Sequence, residues 1–315
     1  MRILITGGAG FIGSNLSAFH LKNNDSVTVI DNLITGSKEN IKPFLNNNNF
    51  TFYQENILTF DFGLLTSDFD IVYHLASPAS PIQYKKYPIE TLLVNSEGTQ
   101  KLLEFMKKSN SKSFVLASTS EIYGDPLVHP QIETYWGNVN PVGIRSCYDE
   151  GKRFAEAITM TYFRKYKLNV RIARIFNTYG PHMDKDDGRV TSNIIYQAIT
   201  NKPLSIYGNG KQTRSFCYVS DLVNGLYKLA TTADIEGEVI NLGNSTEYSI
   251  LDFTHIVQEL TGTISKIIYQ QIDEDDPKRR KPDITKAKTK LNWEPIISLK
   301  DGLLNTISYF KKRFL

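Results

Sequence analysis

A tyrosine and a lysine, Tyr148 and Lys152, stand four residues apart in a segment with a helical pattern. Side chains at i and i+4 project from one face of a helix, so the phenol and the ammonium group would lie together. A free tyrosine has a pKa near ~10 and is a poor base at neutral pH. A neighbouring ammonium and the start of a helix both stabilise a phenolate, so we expect a lowered pKa for Tyr148. Such a phenolate can take a proton from a hydroxyl group while hydride leaves the same carbon.

The segment Ser118-Thr119-Ser120-Glu121 precedes this pair and adds hydroxyl groups and a carboxylate. A Tyr-x-x-x-Lys spacing also occurs by chance on amphipathic helices, in which the tyrosine is only packed. Thr119 and Tyr148 lying far apart would favour that structural interpretation, and Glu121 could equally be a surface residue at the end of a strand.

A glycine pattern near the start of the chain, Gly8-x-Gly10-x-x-Gly13, lies between a predicted strand and a predicted helix. Glycines at this spacing permit a tight turn and a close approach of the backbone to a pyrophosphate at the helix N-terminus. Asp31 follows the second predicted strand, near the expected separation of about 20 residues. Its carboxylate can accept hydrogen bonds from a ribose diol and would repel a 2′-phosphate. The pattern therefore predicts NAD, rather than NADP, as the cofactor.

Short β-rich runs alternate with helical patterns through the first half of the chain, which indicates a parallel sheet with helices on both faces. Turns around Pro181 and Gly208-Asn209-Gly210 then interrupt the rhythm, so we expect a smaller lobe there. A strand from Val239 to Leu242 is expected to return to the sheet. The predicted strands are Arg2 to Thr6, Ser26 to Ile30, Phe50 to Tyr53, Asp70 to Leu75, Ser113 to Ala117 and Val170 to Phe176, and the predicted helices are Phe11 to Lys22, Ile89 to Lys108 and Tyr148 to Lys165.

The composition argues against several classes of function. Of the 315 residues, 41% are hydrophobic and 22% are charged, and the net charge of +3 is too small to favour nucleic acid or a membrane surface as the partner. Cys147 and Cys217 give no disulfide framework, and the five histidines lack metal-ligand spacing, so we expect no metal site. No apolar run reaches the roughly 20 residues that span a bilayer. The predicted strand from Met1 leaves no room for a signal peptide, and we expect a cytoplasmic location.

Longer strings of residues carry a resemblance over essentially the whole chain. They are Leu75 to Pro81, Ser118 to Pro126, Tyr135 to Pro141, Arg145 to Arg153, Arg174 to Pro181, Gln212 to Phe216 and Arg279 to Asp283. With them, the chain resembles the extended short-chain dehydrogenase/reductase family and, within it, the UDP-glucuronate decarboxylases. The resemblance implies a Rossmann-type, doubly wound α/β fold in which residues 1–178 and approximately 216–243 bind NAD. Residues 179–215 and 244–315 would form a smaller, mixed α/β lobe that binds the UDP-sugar.

The resemblance also implies a reaction, the decarboxylation of UDP-glucuronate to UDP-xylose. Tyr148 would deprotonate the hydroxyl at sugar carbon 4, and the 4-keto acid would lose carbon dioxide before NADH returns its hydride. Glu121 would organise proton delivery at carbon 5, and Arg280 would face the sugar carboxylate or the enolate. The alternative for Arg280 is that the basic run Lys278 to Lys281 is a solvated or nuclear-targeting segment with no catalytic role. The preceding acidic run, Asp273 to Asp276, cancels the charge of this segment. The implied catalytic residues are Thr119, Glu121, Tyr148, Lys152 and Arg280.

Matching family positions imply two sets of binding residues. NAD would contact Gly7, Gly10, Phe11, Ile12, Gly13, Asp31, Asn32, Thr35, Gly36, Asn56, Ile57, Leu75, Ala76, Asn95, Tyr148 and Lys152. The UDP-sugar would contact Tyr84, Ser120, Asn177, Arg189, Gln212, Arg214 and Tyr218. Buried aromatic packing is the alternative for Tyr218. The chain departs from the family at Ser77, usually a cysteine, and at Asn56, usually an aspartate that contacts adenine; the Asn56 carbonyl can still accept that hydrogen bond.

Other functions on the same scaffold remain open at this point. They are a nucleotide-sugar 4-epimerase, a 4,6-dehydratase and, from another class, a non-catalytic NAD-binding regulatory protein. A dehydratase usually has an aspartic acid at the position of Ser120, and an epimerase does not need both Glu121 and Arg280. The intact catalytic positions argue against a regulatory protein. Two predicted helices, Ile89 to Lys108 and Tyr148 to Lys165, have apolar residues on more than one face, and the family often pairs them into a four-helix bundle, which predicts a homodimer.

Overall fold

The computed structural model describes residues 1–65, 68–271 and 279–315 of the chain, so the acidic run 273–276 and Lys278 lie outside the described residues. The strands of the described part are β1 (Arg2–Thr6), β2 (Ser26–Ile30), β3 (Phe50–Tyr53), β4 (Ile71–His74), β5 (Ser113–Thr119), β6 (Val170–Ile175), β7 (Thr178–Tyr179), β8 (Leu204–Tyr207), β9 (Thr213–Ser215), β10 (Cys217–Tyr218), β11 (Val239–Leu242), β12 (Glu247–Ser249), β13 (Ile267–Gln270) and β14 (Arg279–Arg280). The α-helices are α1 (Phe11–Lys22), α2 (Lys38–Ile41), α3 (Pro81–Lys86), α4 (Pro88–Leu93), α5 (Thr99–Lys108), α6 (Ser146–Tyr166), α7 (Val190–Ile199), α8 (Val219–Thr231), α9 (Ile250–Thr261), α10 (Thr285–Leu291) and α11 (Leu299–Phe314).

Seven strands of the described chain form one sheet, ordered β11-β6-β5-β4-β1-β2-β3, in which every pair is parallel. Ile3 and Ile5 of β1 belong to an apolar cluster that contains residues of α1 and α8, whereas Leu4 belongs to a cluster that contains residues of α5 and α6. Successive side chains of a strand point to opposite faces, so both faces of this sheet are covered by helices. The predicted doubly wound α/β fold is confirmed.

The order of the sheet reverses at its centre, where β1 lies between β4 and β2. In sheets of this kind a crevice opens at the carboxyl ends of the central strands, and ligands bind in it. Gly7 follows β1 and Leu75 follows β4, so the glycine turn and the loop after β4 face each other across this crevice. The topology therefore positions the predicted cofactor turn at the edge where a ligand is expected.

A third apolar cluster lies apart from the sheet and joins α7, α9 and α11 with β8. Its members Ile194, Phe253 and Phe310 are fully buried. In the same part of the chain β14 pairs in parallel with β9, which sets Arg280 next to Arg214 in register. This separate core supports the predicted smaller lobe, while the residue limits of the two lobes stay a prediction.

Several elements have their predicted bounds, and β11 joins the main sheet beside β6 as expected. The helix predicted from Ile89 to Lys108 is instead α4, a π-helical turn at Val94–Gly98 and α5. Side chains in this turn form hydrogen bonds to backbone carbonyls one turn earlier, and such hydrogen bonds disturb a regular helix. Asn95, for example, donates from Nδ2 to the carbonyl of Thr91 at 2.8 Å. No helix of the described residues is long and apolar enough to cross a bilayer.

A buried asparagine, Asn241 of β11, connects the sheet to two loops. Its Oδ1 accepts a hydrogen bond from the Tyr123 hydroxyl at 2.8 Å. Its Nδ2 donates to the carbonyls of Gln131 at 3.0 Å and Asp283 at 3.2 Å. Since Asp283 closely follows Arg280, this amide also helps to fix the chain segment that delivers Arg280.

Replacing this amide should destabilise the protein strongly. We expect Asn241→Ala to lower the free energy of unfolding by about 2–4 kcal/mol, because it removes the three hydrogen bonds of a fully buried side chain. Urea unfolding measures the change, and the exposed Asn48→Ala is the matched control that should stay within about 0.5 kcal/mol of the parent chain. Equal stability of the two variants would contradict this account of Asn241.

Candidate active site

One cavity of about 490 Å³ contains most of the predicted site. Its wall is formed by residues that follow several strands of the sheet together with residues of the smaller lobe. The predicted residues in the wall are Gly7, Gly10, Phe11, Ile12, Gly13, Asp31, Asn32, Thr35, Gly36, Asn56, Ile57, Leu75, Ala76, Tyr84, Thr119, Ser120, Glu121, Tyr148, Lys152, Asn177, Arg189, Gln212, Arg214 and Arg280. Two predicted residues, Asn95 and Tyr218, lie outside it.

The glycine turn after β1 leaves no room for side chains. Gly7 has a φ of +77°, and a Cβ atom on it would stand 2.7 Å from the backbone nitrogen of Ala76. A Cβ atom on Gly13 would stand 2.2 Å from the carbonyl oxygen of Gly7. Gly10 precedes α1, so the first turn of this helix directs its free N–H groups at the space above the turn. The residues present fit a pyrophosphate of NAD at this point.

Asp31 is fixed at the end of β2 beside this turn. Its Oδ2 accepts a hydrogen bond from the N–H of Ala9 at 2.9 Å, and its Oδ1 accepts one from Leu33 at 2.8 Å. Burial raises the pKa of Asp31 above its ordinary value, and the two backbone hydrogen bonds oppose this rise. The carboxylate is thus held where the adenosine ribose of a dinucleotide is expected.

Two polar residues of the predicted cofactor set make contacts within the protein. Asn56 lies on the cavity wall, and its Oδ1 accepts a hydrogen bond from the N–H of Leu58 at 3.0 Å. Asn95 is fully buried in the π-helical turn, where Nδ2 donates to Ser77 Oγ at 2.9 Å. Because Ser77 is in the wall and Asn95 is behind it, the asparagine acts on the cavity through the serine.

The proton-transfer residues come together as predicted. The hydroxyl of Tyr148 forms a hydrogen bond with the side chain of Thr119. Lys152, one turn further along α6, is almost fully buried and donates from Nζ to the carbonyl of Ala117 at 2.7 Å. The close approach of Thr119 and Tyr148 contradicts the alternative in which the tyrosine is only packed.

The expected lowering of the Tyr148 pKa is wrong for the protein by itself. Burial raises this pKa, and the hydrogen bond from Thr119 opposes the rise only in part. Burial also lowers the pKa of Lys152 to about 7, against a smaller opposing effect of Glu156. Desolvation disfavours the charged form of both groups, so it outweighs the effect that their spacing suggested.

Glu121 lies at the centre of a cluster of charged residues. Its Oε1 is 3.1 Å from Nη1 of Arg280, and its Oε2 accepts a hydrogen bond from Arg145. Burial by itself would raise the pKa of Glu121, but Arg280 and Arg145 outweigh it and hold the pKa below the ordinary value. Glu121 is therefore an ionised carboxylate, half-buried and paired with two arginines, and the interpretation of this residue as a free surface carboxylate is wrong.

Arg280 is also buried, with 1% of its surface exposed. It donates to the carbonyls of Ser120 and Gly124, the latter at 2.9 Å, in addition to its ion pair with Glu121. The interpretation of residues 278–281 as a solvated charge run is therefore wrong for Arg280.

The residues predicted to hold the UDP-sugar occupy one side of the cavity. Arg189 precedes α7 and makes a two-pronged ion pair with Asp187, in which Nη2 is 2.7 Å from Oδ2. Gln212 donates from Nε2 to the carbonyl of Tyr207 at 2.6 Å, and Arg214 donates from Nη1 to the carbonyl of Thr213 at 2.9 Å. Planar guanidinium groups at this wall suit a diphosphate, because each can donate two parallel hydrogen bonds.

Two aromatic residues of the predicted substrate set differ in their surroundings. The ring of Tyr84 stacks on that of Tyr148, with centroids 5.1 Å apart and planes 5° apart. Its hydroxyl is buried and has no hydrogen-bond partner among the residues that the structure describes, and the residue lines the cavity. Tyr218 instead packs against Tyr179 at 5.5 Å and hydrogen-bonds Asn305 of α11. Its location favours the packing interpretation over a sugar contact.

Arg145 is a site residue that the sequence analysis did not single out. It lines the cavity and is 8% exposed. A signal was present, since Arg145 stands three residues before Tyr148 and hence on the same side of the start of α6. Among the described residues, no group of three or more His, Cys, Asp or Glu side chains could hold a metal ion.

A model of the NAD dependent epimerase/dehydratase family matches residues 3–243. The chain belongs to this family. This membership confirms the cofactor, NAD, that the glycine turn and Asp31 predicted.

Curated relatives within the family extend over almost the whole chain. UDP-glucuronic acid decarboxylase 4 of Arabidopsis thaliana is 50% identical over 316 residues, which cover 99% of this chain and 69% of that protein. UDP-glucuronic acid decarboxylase 1 of Xenopus tropicalis is 49% identical over 311 residues, which cover 99% of this chain and 72% of that protein. The predicted resemblance is confirmed by these relatives.

Solved structures of the family share the whole fold. A UDP-glucuronic acid 4-epimerase of Bacillus cereus, in complex with UDP-glucuronic acid and NAD, is 34% identical with a TM-score of 0.92, and the match covers 100% of both chains. A UDP-glucose 4-epimerase of Thermotoga maritima, with UDP-glucose, is 31% identical with a TM-score of 0.91, again over 100% of both chains. These structures confirm the fold class of this family member.

The buried lysine of this site gives the protein a specific pH dependence. The unfolded chain keeps the Lys152 proton up to the ordinary pKa of 10.5, whereas the folded chain releases it above about 7. Between these two pKa values the unfolded state binds more protons than the folded state, so the free energy of unfolding rises with pH in this range. Below pH 7 the folded protein bears the full cost of burying the charged ammonium group. Between pH 7 and 9 the parent chain should gain up to about 2–3 kcal/mol relative to Lys152→Met.

Urea unfolding of both proteins at the two pH values measures this difference. Lys165→Met, an exposed position on the same helix, should follow the parent chain at both pH values. Parallel pH dependence of Lys152→Met and the parent would show that the lysine is charged in the folded protein.

Proposed function

We propose that this chain converts UDP-glucuronate to UDP-xylose and carbon dioxide, with NAD regenerated in each cycle. Relatives about 50% identical over nearly the whole chain carry the name UDP-glucuronic acid decarboxylase. The structural observation that carries the proposal is the Glu121–Arg280 ion pair in the same cavity as the Thr119–Tyr148 hydrogen bond. The first pair supplies charges for chemistry at carbon 5, and the second supplies a base and a donor at carbon 4.

The first step is the oxidation of carbon 4. Tyr148 takes the proton of the carbon 4 hydroxyl as its phenolate. Burial disfavours this form in the protein by itself, and Lys152, when protonated, favours it from the same helix face. When bound, NAD would supply the acceptor for the hydride of carbon 4 and the donor for its return. The glycine turn and Asp31 hold the cofactor, with Tyr148 and Lys152 on the wall of the same cavity.

The second step is the loss of the carboxyl group. A ketone at carbon 4 stands β to the carboxylate on carbon 5, so the carbon–carbon bond can break and its electron pair can enter the ketone as an enolate. Thr119 and the protonated Tyr148 lie together and donate hydrogen bonds to the oxygen that becomes negative. A proton then adds to carbon 5, and no metal ion is needed in this sequence.

Glu121 and Arg280 are assigned to carbon 5. Arg280 is assigned to the sugar carboxylate or the enolate, because it is a cation in the wall of the cavity that contains Tyr148. It reaches this cavity from β14 and pairs with Glu121 there. Glu121 is ionised before substrate binds, so it acts by orienting a proton donor rather than by giving up a proton of its own. Arg189, Gln212, Arg214 and Asn177 are assigned to the UDP moiety and its sugar.

A 4-epimerase is the second candidate function. The epimerase of Bacillus cereus has the same fold and was solved with UDP-glucuronic acid, so a shared substrate could have a different outcome. The buried Glu121–Arg280 pair favours decarboxylation, because reduction of the 4-ketone from the opposite face does not need these charges. A 4,6-dehydratase is disfavoured by Ser120 at the position of its usual aspartic acid.

The products of three substrates separate these functions. Incubation of the purified chain with catalytic NAD should release carbon dioxide and form UDP-xylose from UDP-glucuronate, and should leave UDP-glucose and dTDP-glucose unchanged. Mass analysis of the nucleotide sugars measures both outcomes. UDP-galacturonate as the product would establish the epimerase, a 4-keto-6-deoxy sugar would establish the dehydratase, and binding of NAD and UDP without turnover would favour a regulatory protein.

We also propose that the chain functions as a homodimer and that its smaller lobe holds the UDP-sugar. Helices α4 and α6 pack against each other and present Ile89, Leu92 and Phe154, which are 63%, 39% and 49% exposed. Two copies of this helix pair would bury these side chains in a four-helix bundle. Both cysteines are free and buried. The cytoplasmic location stays a prediction.

A charge at the centre of this face should prevent dimer formation. We expect Phe154→Glu to shift the protein to monomers at concentrations where the parent is dimeric, because the carboxylate would be desolvated between copies. Sedimentation velocity measures the distribution, and Ile264→Glu, at a residue that is 96% exposed in the smaller lobe, is the matched control that should stay dimeric. A monomeric parent, or a dimeric Phe154→Glu, would refute this interface.

A further inference from the structure

Arg145 lies immediately before the helix that carries Tyr148. Its carbonyl accepts hydrogen bonds from the N–H groups of Tyr148 at 3.0 Å and Asp149 at 3.1 Å, which fixes its backbone to the first turn of α6. Its side chain is 9% exposed and donates to Oε2 of Glu121. Arg145 therefore connects the helix of the catalytic tyrosine with the carboxylate that follows β5.

Glu121 is bound from two different parts of the protein. Arg280 belongs to β14 and lies 3.1 Å from Oε1 and 3.5 Å from Oε2, whereas Arg145 directly precedes α6 and donates to Oε2. Arg280 has further partners in the carbonyls of Ser120 and Gly124, so its position does not depend on Glu121 alone. If a carboxylate of a ligand paired with Arg280, Glu121 would still be bound by the guanidinium group of Arg145.

Several cations of the described residues surround Glu121. Two guanidinium groups face the single ionised carboxylate of Glu121, and the coulombic effect of Arg214 adds a third cation. Among the described residues, Asp149 is a further acid near this cluster, and burial raises its pKa to about 8. A second carboxylate, such as that of a hexuronic acid, complements the cluster; a neutral hexose does not.

We propose that Arg145 is a positioning residue that keeps Glu121 beside carbon 5 when the carboxylate of the sugar acid takes over Arg280. The proposal rests on the decarboxylase function argued above. Oxidation at carbon 4 depends on Tyr148 and Thr119 and does not require Glu121 to be in place. Loss of Arg145 should therefore affect the steps at carbon 5 and spare the step at carbon 4.

The two steps can be measured separately in a single turnover with UDP-glucuronate. For Arg145→Gln we expect NADH to form within about threefold of the parent rate, and UDP-xylose to form at least about tenfold more slowly, the scale of a lost charge-assisted hydrogen bond. NADH absorbance and the appearance of UDP-xylose report the two rates. Arg145→Lys should recover part of the second rate, because it restores the charge without the planar fork.

Matched variants make the outcome decisive. Arg164→Gln, at an exposed position on the same helix, should leave both rates unchanged. Equal slowing of both steps in Arg145→Gln, or no recovery in Arg145→Lys, would overturn the proposal, as would parent-like rates in Arg145→Gln. If Arg145→Gln does not fold, Arg145→Lys decides alone: slower UDP-xylose formation with normal NADH formation supports the proposal, and parent-like rates overturn it. A parent chain that releases no carbon dioxide would instead refute the decarboxylase function itself.

Discussion

The ion pair between Glu121 and Arg280 joins two parts of the chain that are 159 residues apart in sequence. Glu121 stands just after β5 of the main sheet, whereas Arg280 stands on β14, which is held by its pairing with β9. Both side chains are largely removed from water, and a buried charge is tolerated only with a partner and further hydrogen bonds. The relative placement of the sheet and the smaller lobe therefore determines whether the carbon 5 chemistry can be assembled, and the β9–β14 pairing and the Asn241 hydrogen bonds maintain that placement.

Desolvation opposes charge throughout this cavity. It raises the pKa of Tyr148, lowers that of Lys152 and raises that of Asp149. For Glu121 the outcome is the opposite, since two arginines compensate its burial. The protein thus keeps the proton-transfer pair near neutrality and concentrates fixed charge at the place where a carboxylate has to be recognised. This division fits a reaction in which the hydroxyl at carbon 4 loses a proton and the neighbouring carbon 5 loses its carboxylate as carbon dioxide.

Local patterns made much of the fold and part of the site predictable. Alternation of apolar residues identified β1 and β2, the glycine spacing identified the turn before α1, and Asp31 followed from its distance to that turn. Local signals do not report tertiary surroundings, however. The spacing of Tyr148 and Lys152 suggested a lowered pKa because it carries no information on burial, and the energetic cost of desolvation decided the opposite.

Contacts between distant segments account for the other differences between the sequence predictions and the structure. Tyr218 has the residue type of a sugar contact, but α11 covers it and Tyr179 packs against it. Asn95 reaches the cavity only through Ser77, because the π-helical turn places it one layer behind the wall. Arg145 was overlooked since an arginine before a helix is ordinary in sequence, and its meaning appears only when Glu121 is brought to it by β5. Such relations depend on how separate elements meet rather than on any one of them.

The stacking of Tyr84 on Tyr148 links a short helix to the acidity of the catalytic phenol. Tyr84 belongs to α3, a helix of six residues, and its ring covers one face of the Tyr148 ring. That cover contributes to the dehydration that keeps the phenol neutral. The catalytic phenol therefore owes part of its weak acidity to a ring on a different, short helix rather than to its own helix alone.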